Sequence, residues 1–429
     1  MAIHRPAWLA REGMSLMLLY NQSTVNPMDM IYLDNNATTP MSPEVMQAMQ
    51  EILADHWANP SSIHRLGQVA KRRLEGARER VAAFICSEPD EIIFTGGGTE
   101  SVNTAIRSCL RERSDRRLVV TSQVEHSAVR ELLEDLEPTG VETLKLPNDS
   151  NGVVDVDALS KLLMERGDEI ALVSVMWANN ETGVIEPVGK VGALCREHEV
   201  LFHSDGTQWV GKMPADMSTM PFDMLSFAAH KFHGPKGVGV LYTRRKTPYH
   251  SLVIGGGQEG GRRGGTENVP GIVGLSEACN QSEAWFQEGG PDHMSTVRAG
   301  FEESLLDALP DACINGREAD RMWSTSSVGF PGLESELVLL MLSEHGVCAS
   351  SGSACSSGAL KPSKVIEAIG RQPCQVPDVP YGAVRLSLGR ETTPDELARA
   401  LVIIRDVVSR LQADRDGVSV QSAKQLDPS

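Results

Sequence analysis

Between about residues 66 and 245, short continuous apolar runs alternate with helix-length segments. The runs are "EIIFT", "RLVVTS", "EIALVSVM", "EVLFHSD", "DMLSFAAH" and "VGVLYT". The first of the helical segments, "LGQVAKRRLEGARERVAAFI", sets Leu66, Val69, Leu74, Ala77 and Val81 at helical spacing, which predicts one apolar face. Strands that are apolar on both faces and separated by helices call for a mostly parallel sheet covered on each side. The last 140 or so residues mix helical patterns ("ESELVLLMLSEHG", "PDELARALVIIRDVVSRL") with strand patterns ("SSVGF", "AVRLSL"), as expected of a smaller α+β unit. No internal repeat is visible.

With 429 residues the chain is long enough for more than one core. Its 40 basic and 57 acidic residues leave a formal charge of -17, which argues against nucleic acid as a partner. No apolar run approaches bilayer length, so no membrane partner is expected. The eight cysteines contain no C-x-x-C pair or zinc-finger spacing, and read as reduced, mostly buried thiols of a cytoplasmic protein. The apolar patch "MSLMLLY" near the start lacks the flanks and cleavage site of a signal peptide. Patterned sequence begins at "MIYLDNNATTP", so residues 1–29 read as a disordered tail, or the true start is Met28 or Met30.

In an open α/β sheet, ligands gather beyond the carboxyl ends of the strands. After "EIIFT" comes "GGGTES", residues Gly96 to Ser101, at the start of a helical pattern. It is either a tight turn or an anion cradle built from free N–H groups at a helix start. It fits neither a P-loop nor G-x-G-x-x-G. After "RLVVTS" comes His126, which alone is as readily structural as functional. After "EIALVSVM" come Asn179 and Asn180, by themselves an ordinary turn. After "EVLFHS" come Asp205 and Gln208; a carboxylate directly after an apolar strand must be paired or used. After "DMLSFAA" come His230 and Lys231. His230 and His233 lack the carboxylate or cysteine company of a metal site, so no resident metal is expected.

A phosphate cradle, an imidazole, a carboxylate and a lysine on one sheet edge are what pyridoxal 5'-phosphate requires. The lysine amine forms a Schiff base with the cofactor aldehyde, and the carboxylate keeps the pyridine nitrogen protonated.

Nine motifs stand in one order along about residues 30 to 412: "YLDNNATTP", "NPSSIHRLG", "TGGGTES", "NNETG", "SDGTQ", "AHKFHGPKG", "GGRRGGTEN", "SSGSACSSG" and "VRLSLGR". In this the chain resembles cysteine desulfurases of the class V aminotransferase family, most closely the NifS/IscS branch with a long serine-rich cysteine loop. The resemblance implies a fold type I α/β architecture with a seven-stranded, mostly parallel sheet. It implies a large cofactor-binding domain over 41–289, and a small domain from 30–40 and 290–415 that carries a mobile loop at 346–361. Residues 416–429 would be a polar tail.

The resemblance further implies roles, residue by residue. Lys231 is the Schiff-base lysine, Asp205 pairs with the pyridine nitrogen, Gln208 bonds the ring oxygen and His126 stacks on the ring. Gly98, Thr99 and His230 hold the phosphate, with Thr266 from the second subunit of a homodimer. Asn180 touches ring oxygen and substrate, Arg385 clamps the substrate carboxylate in bidentate fashion, and Asn36 lies nearby. Cys355, in "CASSGSACSSGAL", is the nucleophile that takes sulfur from L-cysteine as a persulfide and carries it on a flexible tether to an iron–sulfur scaffold protein or other acceptor, meeting a cluster only in passing. Cys348, on a strand pattern, is assigned to the core.

One position departs from the pattern: relatives carry a serine three residues before the lysine where this chain has Ala228, which predicts somewhat weaker cofactor retention. The stretch "GRQPCQVPDVPYG" before Arg385 is also longer than in relatives. Two other readings remain. Another class V enzyme, a selenocysteine lyase or an aminotransferase, would not need Cys355; a non-catalytic sulfur carrier would not need Lys231, Asp205 and His126.

Overall fold

The computed structural model describes residues 30–352, 363–370 and 381–425, the stretch from 416 on as backbone alone. Its strands are β1 (Ile31–Tyr32), β2 (Ile92–Thr95), β3 (Leu118–Ser122), β4 (Glu142–Leu146), β5 (Ile170–Ser174), β6 (Phe202–Asp205), β7 (Met224–Ala228), β8 (Gly239–Thr243), β9 (Cys313–Ile314), β10 (Thr325–Pro331), β11 (Val347–Cys348) and β12 (Tyr381–Ser387). Seven of them form one sheet in the order β2-β8-β7-β6-β5-β3-β4. Within it β8 alone is antiparallel to its neighbours, and the rest run parallel. The mostly parallel seven-stranded sheet is therefore as expected.

Every residue of β2, β3, β5, β6, β7 and β8 is buried, which is why each reads as an unbroken apolar run. β4 is the exception. It sits at the sheet edge with Glu142 and Lys145 exposed, and its sequence "ETLKL" gives no continuous apolar signal.

The helix Arg65–Phe84 buries Leu74, Ala77 and Val81 as its spacing predicts, while Val69 is only half-buried and the adjacent Ala70 is buried in its place. Leu66, however, is 55% exposed. The first turn meets the protein through Gly67 instead, where a Cβ would fall 2.5 Å from the Ser62 carbonyl oxygen, so the buried stripe begins one residue later.

A second apolar core gathers Leu33, Phe301, Val328, Val384 and Ile404 around β10, which pairs antiparallel with both β9 and β12. The N-terminal β1 joins this core by pairing with β11. The final helix, Pro394–Gln425, continues through the stretch expected as a frayed tail up to Gln425. Cys348 does lie on a strand, but it is only partly buried and does not belong to the core. Cys109, Cys195 and Cys279 are buried free thiols and Cys86 an exposed one. Cys313 departs from the all-reduced expectation in being disulfide-bonded.

Candidate active site

The carboxyl ends of β2, β3, β5, β6 and β7 open on one edge of the sheet, and each carries a piece of the site. β2 runs into the glycine loop, where Gly97, at φ 152, precedes the helix Gly98–Glu112. Thr95 Oγ1 shares a 2.7 Å hydrogen bond with Ser101 Oγ and donates to the Gly97 carbonyl, which stiffens the loop. A Cβ on Gly98 would lie 3.1 Å from Thr207 Oγ1 and 3.7 Å from the Ala228 methyl. The loop thus presents backbone N–H groups at the positive end of a helix, the arrangement that binds phosphate.

β3 leads to His126, which caps the helix Ser127–Leu136 by accepting a 3.1 Å hydrogen bond from Ala128 N at Nδ1. That bond leaves Nε2 as the ring atom able to carry a proton. Burial lowers the imidazole pKa below its ordinary value; Lys231, Arg130 and Arg385 add to the effect and Asp205 opposes it. The preceding residue, Glu125, is buried. Its Oε1 accepts from Ser122 Oγ at 2.7 Å and from Met176 N at 2.9 Å, while Oε2 has no partner among the described residues. Burial pushes this carboxyl up to about 8, so it is largely protonated at neutral pH.

Asp205 ends β6, buried, with Thr207 N donating to its Oδ1 at 3.0 Å. Lys231 follows β7 on a short helical turn, Ala229–Lys231. Its amine donates to the carbonyls of Asn36 at 2.7 Å and Ala37 at 2.9 Å. Gln208 Nε2 donates to the same Asn36 oxygen at 3.1 Å. His230 Nδ1 lies 3.2 Å from Thr38 Oγ1, and burial beside Lys231, Lys236 and Lys212 drives its pKa down to about 4.

Arg385 comes from β12 and is 3% exposed. Its Nη1 donates to the Asn180 carbonyl at 2.9 Å, and its Nη2 to Asp34 Oδ1 at 2.8 Å and Ser350 Oγ at 2.6 Å. Asn36 Nδ2 donates to Thr325 Oγ1 at 2.8 Å and to the same Asn180 carbonyl at 3.2 Å. Lys231, Asn36, Asn180 and Arg385 are therefore linked in one continuous chain of hydrogen bonds. Two buried atoms within it, Arg385 Nε and Asn180 Oδ1, have no partner among the described residues.

Asn36, Asn180, Gln208, Lys231 and Arg385 are thus brought together directly, with Asp205 and His126 coupled to them by charge. Thr99 is exposed at the helix start. Thr266 lines a cavity of about 210 Å³ beside Gly96 and Arg263. Cys355 lies outside the described residues. Sequence reading missed Asp34, Glu125, Thr207 and Lys212. Asp34 and Thr207 sit inside motifs quoted for other residues, Glu125 directly precedes His126, and Lys212 follows Gln208 by four.

A parallel α/β sheet with a lysine, a carboxylate and an anion-binding helix start at its strand ends defines a transferase of the pyridoxal phosphate kind. Residues 31–399 match the family described as aminotransferase class-V, and the chain belongs to that family. A curated cysteine desulfurase from Nostoc sp. is 42% identical over 390 residues, covering 90% of this chain and 94% of the relative. A solved NifS-like protein superposes with a TM-score of 0.81 at 35% identity, covering 89% of this chain and 99% of that one. A second structure, SspA in complex with cysteine, gives a TM-score of 0.72 at 30% identity, covering 84% and 99%.

The cofactor of this family is pyridoxal phosphate, and the residues present fit it. The Arg385 Nε–H and the Asn180 amide oxygen are buried polar groups that no described residue satisfies. The backbone-walled glycine loop suits a phosphate, and buried Asp205 suits a ring nitrogen that must stay protonated.

Proposed function

We propose that this protein is a cysteine desulfurase that converts L-cysteine to L-alanine and passes the sulfur to Cys355 as a persulfide. The observation that carries this reading is the chain of hydrogen bonds from Lys231 through Asn36 and Asn180 to Arg385. It ties a reactive amine and a guanidinium suited to a carboxylate into one network, which supports an α-amino acid as the substrate.

Arg385 holds the substrate carboxylate through its open Nε edge. Lys231 removes the proton from the substrate α-carbon, and His126 carries protons through Nε2. Bound pyridoxal phosphate supplies an electron sink for the pair released at that carbon. Asp205 holds the proton on its ring nitrogen, Gln208 and Asn180 contact its ring oxygen, and Gly98, Thr99 and His230 its phosphate. The Cys355 thiolate attacks the substrate sulfur. An S–S bond forms, the C–S bond breaks with its electron pair staying on carbon, and protonation of that carbon yields alanine.

The working unit in this reading is a cytoplasmic homodimer in which Thr266 completes the partner's phosphate site. The acceptor is an iron–sulfur scaffold protein or a comparable sulfur carrier. The chain divides into the large domain 41–289 and a small domain made of 30–40 and 290–415. Among the described residues no helix is long and apolar enough to cross a membrane.

The test is incubation of the purified, cofactor-loaded protein with L-cysteine in the absence of reductant, with alanine quantified and added sulfur mapped by peptide mass spectrometry. Alanine with one extra sulfur on the Cys355 peptide is the expected result, and Cys355→Ser should abolish both. Alanine from L-selenocysteine but none from L-cysteine would replace this reading with a selenocysteine lyase. Alanine formation that survives Cys355→Ser would remove that thiol from the reaction.

A further inference from the structure

Lys212 lies four residues beyond Gln208 and is 4% exposed. Its amine donates to Asn36 Oδ1 at 2.7 Å and to Gln208 Oε1 at 2.7 Å, and its carbonyl accepts from Trp323 Nε1 at 2.9 Å. Burial drives the pKa of this amine well below the ordinary lysine range, and the nearby cations Lys231 and Arg385 push it the same way. Among the described residues no carboxylate pairs with it. A lysine buried beside two cations is costly to keep for packing alone.

What the amine does is set the orientation of two amides. A side-chain amide can turn over and exchange its oxygen and nitrogen ends. Lys212 takes the oxygen ends of both Asn36 and Gln208, so their NH2 ends must point away from it. The Asn36 NH2 then reaches Thr325 and Asn180, and the Gln208 NH2 reaches the Asn36 carbonyl with one N–H to spare. That same carbonyl receives Lys231.

We propose that Lys212 is a positioning residue of the active site, a buried amine that locks the amides of Asn36 and Gln208 and, through the Asn36 peptide, fixes where the Lys231 amine rests. The inference rests on the reading of this edge as the pyridoxal phosphate centre. Lys212 touches neither cofactor nor substrate; it acts through the groups that do. Turned amides would set oxygens against the cofactor oxygen and the substrate carboxylate, where donors are needed.

The test compares wild type, Lys212→Met, Gln208→Met and the double variant. Three readouts are followed: the dissociation constant of pyridoxal phosphate, the pH midpoint of the bound cofactor's visible absorption, and KM against kcat for alanine formation. Lys212→Met should weaken cofactor binding about 25-fold, as expected from loss of two hydrogen bonds of ordinary strength. It should also move the absorption midpoint and raise KM for L-cysteine. In the Gln208→Met background its effect should shrink, because part of its route to the site is already gone. Should Lys212→Met alone fail to fold, the double variant decides. It removes a bonded pair together, the least costly way to lose one, and should fold and bind the cofactor nearly as Gln208→Met does.

Equal effects of Lys212→Met in both backgrounds, with an unmoved absorption midpoint, would make Lys212 a purely structural residue and overturn the proposal. A wild-type protein that takes up no pyridoxal phosphate would overturn the proposed function as well. Normal uptake with an indifferent Lys212→Met would overturn this inference alone.

Discussion

The guanidinium of Arg385 donates to Asp34 Oδ1 at 2.8 Å, so the expected substrate clamp already holds a carboxylate of its own chain. Asp34 keeps a nearly fully buried cation paired, as such a charge requires, and it competes for the donors a substrate carboxylate needs. Asp34→Asn keeps the shape and removes the charge. It should lower the unfolding free energy by roughly 2 kcal/mol, the worth of a hydrogen bond to a charged group, and lower KM for L-cysteine. Urea unfolding and steady-state alanine formation measure the two effects. A raised KM would mean that Asp34 orients Arg385 more than it competes with the substrate.

The two partners are bound to the same region by pairings remote in sequence. Asp34 bridges to Ser387 and Ser350 to Arg385, so the turn after β1 and the strand β12 meet although more than 350 residues separate them. No local pattern announces such a pair. The strand ends were legible for the opposite reason. Complete burial of β2, β3, β5, β6 and β7 writes unbroken apolar runs into the sequence, and the polar residue that follows each run stands out. Edge strand β4, with exposed Glu142 and Lys145, left no such mark. Lys212 was illegible because its role depends on Asn36, 176 residues away. Asn36, Gln208 and Lys231 were assigned by resemblance, and their shared carbonyl appears only in three dimensions.

Stability should depend on pH in two opposed ways. His203, His230 and His233 are buried, with pKa values of about 4. Unfolded histidine takes up a proton near 6.5, so their contribution is present above that pH and lost as pH falls from 6.5 toward 4. Glu125 and Glu186 are raised to about 8 by burial. The folded state holds those protons longer than the unfolded one, so their contribution is present below about 4.5 and lost as pH rises toward 8. Urea unfolding of wild type should therefore weaken from pH 6.5 to 8. Glu125→Gln, which cannot ionise, should remove about 1.4 kcal/mol of that fall per pH unit. An identical slope in the variant would show that Glu125 does not hold its proton in the native state.

Ala228 faces Gly98 at 3.7 Å from the position of a Cβ there, with the Thr207 hydroxyl on the same side at 3.1 Å. A serine at 228 would add a hydroxyl beside the anion cradle. Ala228→Ser should tighten pyridoxal phosphate binding about fivefold, the equivalent of one modest hydrogen bond of about 1 kcal/mol. Equilibrium titration of the apoprotein reads this directly. Unchanged or weaker binding would mean that the cradle has no place for a further donor.

Gly239 in β8 lies against the loop that forms the cradle. A Cβ at this position would stand 2.5 Å from the Gly97 carbonyl carbon and 2.7 Å from its Cα. Those atoms are backbone, so no side chain can swing aside, and Gly97 is itself held by Thr95 Oγ1 donating to its carbonyl. Relief has to come from displacement of the loop, and with it the first N–H groups of the helix Gly98–Glu112. Gly239→Ala should therefore cost about 1–3 kcal/mol of stability by overpacking. Because the strain falls on the phosphate site, it should weaken pyridoxal phosphate binding at least tenfold. Loss of stability with cofactor affinity intact would mean that β8 yields instead of the loop. Binding and thermal unfolding measured on the same preparation distinguish the two, since a displaced cradle lowers affinity even at temperatures where the variant is fully folded.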